Sequence, residues 1–150
     1  MSYNMKVLNG DLLELAKDGE FDVIVQGCNC QHMMGGGIAR TISHKYPEAL
    51  EVDKTTSYAD KTKLGEISTV TTSDGFDIVN AYTQFHGGPN VDYTAIRNSF
   101  KKVKEKYSGL RIGYPLIGCG IAGGDWDVVS KIIDEELYGE DHTVVKYVAK

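Results

Sequence analysis

Two glycine-rich segments hold the residues of this 150-residue chain that are best suited to chemistry. The first runs from Gly27 to Gly37, and the second runs from Gly118 to Gly124. Each segment follows an apolar run and precedes a run with helical spacing. Glycine lets the backbone approach a ligand closely, and the first N–H groups of a helix have no intrahelical partner, so such a segment favours an anion. Two of them predict a ligand with more than one phosphate, or with a phosphate next to a sugar.

Strands and helices are predicted to alternate around these segments. Apolar, β-branched runs predict strands, and apolar residues at helical spacing predict helices after both glycine segments. A turn at residues 73–75 joins two strands as a hairpin. This alternation predicts an α/β fold of three layers, in which a central mixed β-sheet of about six strands lies between helices and ligands bind at the strands' carboxyl ends. The predicted strands are residues 6–8, 21–26, 66–72, 76–82, 111–117 and 143–148.

The amino-acid composition limits which classes of protein the chain can belong to. Apolar residues make up 41% of the chain and charged residues 25%, with a net charge of −5. These values are ordinary for a soluble globular protein, and they argue against a basic face for nucleic acid. We expect one domain over residues 1–150, with no linker or repeat. No apolar run approaches membrane-spanning length, and no leader pattern opens the chain, so we expect a cytoplasmic protein without membrane association.

The glycine spacing alone also fits other phosphate-binding classes, which the context argues against. Gly118, Gly120 and Gly123 match the dinucleotide-binding fingerprint, but a single predicted strand follows them and no second βαβ half is available. The chain lacks the P-loop pattern of nucleotidases. A cysteine phosphatase needs an arginine six residues after its thiolate, and neither Cys28 nor Cys119 has one.

The cysteines raise the question of a metal site. Cys28, Cys30 and His32, with His86 as a fourth ligand, carry the nitrogen and sulfur donors that zinc prefers. No second pair of ligands with recognisable spacing follows, so we expect no metal and no cofactor. We expect the thiols to stay reduced, because neighbouring Cys-x-Cys sulfurs make a poor disulfide.

Four motifs, taken in order along the chain, resemble those of the macro domain family, whose members bind ADP-ribose. They are Gly10-Asp11-Leu12, residues 29–39 with their three glycines, residues 80–84 and residues 117–123. The stretch 28–39, with the Tyr46-Pro47 pair that follows it, is most similar to the branch that contains ADP-ribose 1''-phosphate phosphatases. The resemblance implies a three-layer α/β/α macro domain.

The resemblance also implies which residues bind the ligand. The Asp11 carboxylate is placed to accept a hydrogen bond from the adenine amino group, which guanine lacks at that position. Asn29 matches an asparagine that orients the distal ribose. A helix cap is the alternative role for Asp11, and one carboxylate can serve both. The expected ADP-ribose-binding residues are Asp11, Leu12, Asn29, Gly35, Gly36, Gly37, Ile38, Gly118, Cys119, Gly120, Ile121, Ala122 and Gly123.

The most similar branch implies a phosphatase that converts ADP-ribose 1''-phosphate to ADP-ribose and phosphate. The expected catalytic residues are Asn29, His32 and His86. Asn29 would fix the ribose, and one of the two histidines would position or deprotonate a water molecule. The alternative for either histidine is an exposed loop residue without a catalytic role.

Two departures from the family leave the activity open. Gln84 and Ala122 stand where one branch of hydrolases has a nucleophilic lysine and its aspartate partner, so that covalent route is closed. Ala39 and Arg40 stand where another branch has an aspartate. The alternatives are therefore a hydrolase that removes ADP-ribose from modified protein or nucleic acid, and a non-catalytic reader. The expected partner is ADP-ribose or its 1''-phosphate, and direct binding of nucleic acid is not expected.

Overall fold

The computed structural model describes residues 4–148. Strands and helices alternate along the chain as the sequence predicts, with the predicted hairpin in the middle. The strands are β1 Lys6–Gly10, β2 Val23–Asn29, β3 Ile67–Thr71, β4 Asp77–Gln84, β5 Ile112–Tyr114 and β6 His142–Tyr147. The helices are α1 Leu12–Lys17, α2 Gly37–Lys45, α3 Pro47–Lys54, α4 Tyr93–Tyr107 and α5 Trp126–Glu136, and a short 3₁₀ turn covers Lys61–Lys63.

The six strands form one mixed sheet, which confirms the predicted fold class. Their order is β1-β6-β5-β2-β4-β3, and every neighbouring pair is parallel except the β3–β4 hairpin. Five strands therefore point the same way, so their carboxyl ends lie along one edge of the sheet. Ligands of open α/β sheets bind at this edge.

Helices cover both faces of the sheet, and β2 shows why its sequence is almost continuously apolar. Val23 and Val25 pack in one core cluster with residues of α4 and α5. Ile24 packs in a second cluster with residues of α1, α2 and α3. A strand that is buried on both faces needs apolar residues at successive positions. Each such side chain contributes roughly 1.5–3 kcal/mol when it is fully buried.

The β5 strand is shorter than the sequence predicts, and its early end opens the sheet. It stops at Tyr114, because Pro115 follows and has no N–H group for the ladder. β2 stays paired with β4 as far as Asn29, whereas its described pairing with β5 ends at Ile24. The ladder between β2 and β5 is therefore interrupted beyond Ile24, and we call this interruption the gap. The two segments stay close there, since a Cβ atom at Gly27 would lie 3.7 Å from Ile117 Cγ2.

Three of the helices begin with an aspartate cap. Asp11, Asp92 and Asp125 each accept hydrogen bonds from the first turn of α1, α4 and α5, respectively. Helix α3 begins instead at Pro47, whose fixed φ suits the first helical position. Within residues 4–148, no helix is long and apolar enough to cross a membrane.

The packing of Gly113 on β5 yields a stability prediction. A Cβ atom at Gly113 would lie 2.8 Å from the Phe21 ring, so the Gly113→Ala substitution must displace that ring or the strand. We expect a loss of about 1–3 kcal/mol in the free energy of unfolding, measured by urea denaturation. Gly87→Ala is the control, because its Cβ would meet no atom within 4 Å. Equal denaturation midpoints for the two variants would contradict the packing.

Candidate functional site

Two glycine loops border the gap between β2 and β5. We call residues 30–36, between β2 and α2, the first glycine loop, and residues 115–124, between β5 and α5, the second glycine loop. They touch each other across the gap, since a Cβ atom at Gly36 would lie 2.7 Å from Ile121 Cδ1. The fold thus brings together the two segments that the sequence marks as anion-binding.

The first turn of α2 differs from that of the other α-helices. Its N-cap is Gly36, which has no side chain to cap the helix, and no acidic residue follows in the first turn. Among the described α-helices, the other four begin with an aspartate cap or with Pro47. The first N–H groups of α2 therefore lack the side-chain acceptor or proline seen elsewhere. Such a terminus, with the positive end of the helix dipole, favours an anion.

Hydrogen bonds within the second glycine loop hold it in a compact shape. Gly124 donates its N–H to the carbonyl of Gly118 at 2.7 Å, and Gly123 donates to Gly120 at 3.1 Å. Gly118 and Gly123 have φ values of 71° and 78°, a region that favours glycine. Helix α5 follows with its own cap at Asp125. The loop is therefore fixed before any ligand arrives.

Cys119 lies in the second glycine loop as a half-buried thiol. It donates to the carbonyl of Ile117 at 3.2 Å. Burial is the main cause that raises the pKa of Cys119 to about 11, and Asp125 contributes a smaller part. A thiol with this pKa is protonated near neutral pH, so Cys119 is not an activated nucleophile.

Asn29 organises the first glycine loop. Its Oδ1 accepts hydrogen bonds from the N–H groups of Gln31 at 2.9 Å and Met33 at 3.4 Å, and its Nδ2 donates to the carbonyl of Met33 at 2.9 Å. One N–H of the amide is left for another acceptor. The role of Asn29 toward a ribose stays a prediction, and the structure adds a second role in loop geometry.

The two loop histidines lie in different surroundings. His32 is half-buried, with Nε2 2.9 Å from the Thr56 carbonyl oxygen and its ring edge-on to Tyr58. Because a carbonyl only accepts, Nε2 carries the proton and Nδ1 is the basic nitrogen. His86 is exposed, and its Nδ1 lies 2.7 Å from the Gly87 carbonyl oxygen, so Nε2 is its basic nitrogen. Both histidines stay candidate bases.

The turn from β1 into α1 lies along the same carboxyl edge of the sheet as the two glycine loops. Asp11 caps α1 by accepting from the N–H groups of Leu13 at 3.0 Å and Glu14 at 3.3 Å. Both bonds use Oδ1, which leaves Oδ2 for a ligand donor. The N–H of Leu12 is the first of the helix and has no intrahelical partner. Asp11 can therefore cap the helix and contact a ligand at once.

Tyr147 is not among the site residues predicted from the sequence, and it is 74% exposed at the carboxyl end of β6. Tyr147 pairs in register with Gly10 of β1, and Val148 donates its N–H to the Gly10 carbonyl at 3.1 Å. The backbone of Tyr147 therefore lies beside the Gly10–Asp11 turn, and its exposed ring is a candidate to stack on a flat ligand ring. An aromatic residue at the end of the last predicted strand was the signal that could have found it.

The described residues offer no site for a metal ion. Across 4–148, no group of three or more His, Cys, Asp or Glu side chains is arranged to hold one. Cys28 and Cys30 are both buried, and burial raises the pKa of each thiol. Their side chains pack with Met34 and Tyr82 in a small core cluster instead.

A six-stranded mixed sheet with helices on both faces, and two glycine loops that meet at its carboxyl edge, define the class of α/β domain. The model of the macro domain family matches residues 25–133. The chain therefore belongs to the macro domain family, which confirms the resemblance seen in the sequence.

Two relatives and one solved structure show how the chain compares with other proteins. It is 37% identical to the uncharacterized 17.5 kDa protein in the tk-vs intergenic region of Enterobacteria phage T4, over 87% of this chain and 88% of the relative. It is 28% identical to an ADP-ribose 1''-phosphate phosphatase of Lodderomyces elongisporus, over 87% of this chain and 91% of the relative. The Thermosipho africanus DarTG structure in complex with ADP-ribose superposes with a TM-score of 0.72 at 17% identity, covering 97% of this chain and 43% of that one.

The protonated state of Cys119 yields a pH prediction. Since thiolate is the reactive form and the pKa is about 11, the alkylation rate of the folded protein should rise with pH to well above 9. The rate is measured with iodoacetamide between pH 7 and pH 10, roughly the range that brackets an ordinary thiol. Glutathione is the reference thiol, and Cys119→Ser should remove the alkylation that is assigned to Cys119. If the alkylation rate of the protein levelled off at the same pH as the rate of glutathione, the raised pKa of Cys119 would be contradicted.

Proposed function

We propose that this macro domain binds ADP-ribose across the gap between the two glycine loops. The observation that carries the proposal is the uncapped first turn of α2 facing the second glycine loop at Gly36 and Ile121. In a chain with a net charge of −5, backbone N–H groups are the suitable source of a positive field for a diphosphate. The related DarTG structure, which contains ADP-ribose, supports the same ligand.

Each part of ADP-ribose has a matching partner in this arrangement. The diphosphate would accept from the N–H groups of α2 and the second glycine loop. The adenine amino group would donate to Asp11 Oδ2, and the Tyr147 ring would stack on the base. The distal ribose would contact the remaining N–H of Asn29. The contacts of Asp11 and Tyr147 would favour adenine, and the N–H groups of the loops would bind the phosphates.

We infer further that the chain hydrolyses ADP-ribose 1''-phosphate. The relative from Lodderomyces elongisporus that bears the name of this activity supports the inference. Water would attack the terminal phosphorus, forming a new P–O bond while the bond from phosphorus to the 1'' oxygen breaks. The free nitrogen of His32 or His86 would take a proton from the water, and the leaving 1'' oxygen would gain one. Loop N–H groups would stabilise charge on the phosphoryl oxygens.

A covalent intermediate is not part of this proposal. Cys119 is protonated near neutral pH because of its raised pKa. Gln84 donates its amide to the carbonyls of His86 at 2.8 Å and Gly88 at 3.2 Å, so it shapes the β4–α4 loop. Ala122 carries no reactive group. Direct attack by water is therefore the route that these side chains favour.

Phosphorus NMR of ADP-ribose 1''-phosphate with the purified protein tests the proposal. We expect inorganic phosphate to appear in proportion to the amount of protein. Replacing the histidine that serves as base, by His32→Ala or His86→Ala, should lower the rate by about 100-fold or more, because general base catalysis contributes that much. His44→Ala is the matched control, since His44 lies in the last turn of α2, away from the loops.

The remaining outcomes separate the alternatives. Full turnover in both His32→Ala and His86→Ala would show that neither histidine is the base. Diphosphate signals that shift without turnover would leave a binding module, and release of ADP-ribose from modified protein or nucleic acid would then distinguish a hydrolase from a reader. Signals unchanged at millimolar ligand would contradict ADP-ribose binding itself.

A further inference from the structure

Two consecutive methionines in the first glycine loop have opposite surroundings. Met33 is 64% exposed, whereas Met34 is 7% exposed and packs in the core cluster with Cys28, Cys30 and Tyr82. Met34 directly precedes Gly35, the N-cap residue Gly36 and Gly37, the first residue of α2. Its side chain therefore reaches from the first glycine loop into the layer between the sheet and α3.

A buried glutamine holds the sulfur of Met34. Gln26 lies on β2 and is 1% exposed. Its Nε2 donates to Asn80 Oδ1 at 2.8 Å and to Met34 Sδ at 3.7 Å, a distance suited to a sulfur acceptor. These two bonds use both hydrogens of the amide.

Asn80 fixes the orientation of this glutamine. Its Nδ2 donates to the carbonyl of Ala49 in α3 at 3.0 Å and to Ser68 Oγ on β3 at 3.1 Å. With both hydrogens engaged, Asn80 can offer only its oxygen to Gln26. A chain of hydrogen bonds therefore runs from α3 through β4 and β2 to the first glycine loop.

Burial of Gln26 costs free energy, because one of its polar atoms has no partner among residues 4–148. Gln26 Oε1 is buried, and within the described part of the chain it has no hydrogen-bond partner. An unsatisfied buried acceptor is unfavourable, and an apolar side chain at this position would avoid it. The two hydrogen bonds that Gln26 donates offset the cost of its unsatisfied oxygen, and one of them ends at Met34 in the first glycine loop.

We propose that Gln26 and Met34 are positioning residues for the ligand, a proposal that rests on ADP-ribose binding as the function. Asn29 fixes the start of the first glycine loop through Gln31 and Met33. Gly35, Gly36 and Gly37 have no side chains to anchor them, so the neighbouring Met34 sets where their N–H groups lie. Gln26 in turn holds the sulfur in place.

Binding of ADP-ribose and of AMP to matched variants tests this proposal. AMP lacks the second phosphate and the distal ribose that the first glycine loop would contact. For Met34→Leu and Gln26→Met we expect a loss of about fivefold in affinity for ADP-ribose, the size of one ordinary hydrogen bond, with a change below about twofold for AMP. Met33→Leu, the exposed neighbour, should leave both affinities unchanged. Titration calorimetry gives the affinities.

Amide hydrogen exchange provides a second measurement that does not depend on the ligand. We expect faster exchange at Gly35, Gly36 and Gly37 in Met34→Leu than in Met33→Leu, with β2 unchanged. Equal losses of affinity for ADP-ribose and AMP would overturn the positioning role. Unchanged amide exchange rates at these glycines would overturn it as well. If the wild-type chain bound neither nucleotide, the proposed function would fail, and the exchange rates would still decide whether Met34 positions the loop.

Discussion

The arrangement of the site depends on how β2 is paired. It keeps β4 as a neighbour as far as Asn29, but its described pairing with β5 ends at Ile24. The cause is local, because Pro115 stops β5 after three residues. The two glycine loops are therefore held at opposite sides of one gap, each at the end of a strand that is fixed in the core. Without this divergence, a continuous ladder would fill the place that we assign to the ligand.

Backbone groups, rather than charged side chains, are the groups that we propose as partners of the anionic ligand. The chain has a net charge of −5, and α1, α4 and α5 use aspartates to satisfy their first N–H groups. Helix α2 departs from that pattern at Gly36, where a side-chain cap would compete with a ligand. The glycines thus serve two purposes, since they leave the N–H groups open and let the loops approach each other. Because glycines have no side chains, the first glycine loop makes few side-chain contacts of its own. The hydrogen bonds of Asn29 and the packing of Met34 hold it in place instead.

The sequence predicts the fold well and marks the two glycine loops that the structure brings together, because these features depend on strong local patterns. Apolar runs and the Ser73–Gly75 turn predict the strands and the hairpin, and the glycine runs mark the gap. The early end of β5 was missed, since Ile117 continues the apolar pattern past Pro115. The position of Tyr147 beside Gly10 was not predicted, because it depends on the pairing of β6 with β1, which brings residues distant in sequence together. The hydrogen bond between Gln26 and Met34 has no sequence signature for the same reason.

Mapping of backbone amide shifts by NMR during titration with ADP-ribose tests the central claim most directly. We expect the largest shifts at residues 11–12, 35–38, 118–123 and Tyr147, all along the carboxyl edge of the sheet. Shifts confined to another part of the surface would contradict it, for instance in the groove lined by Leu13, Lys17, Lys45 and Asp74 between α1 and the end of α2. An absence of shifts at millimolar ADP-ribose would contradict it as well.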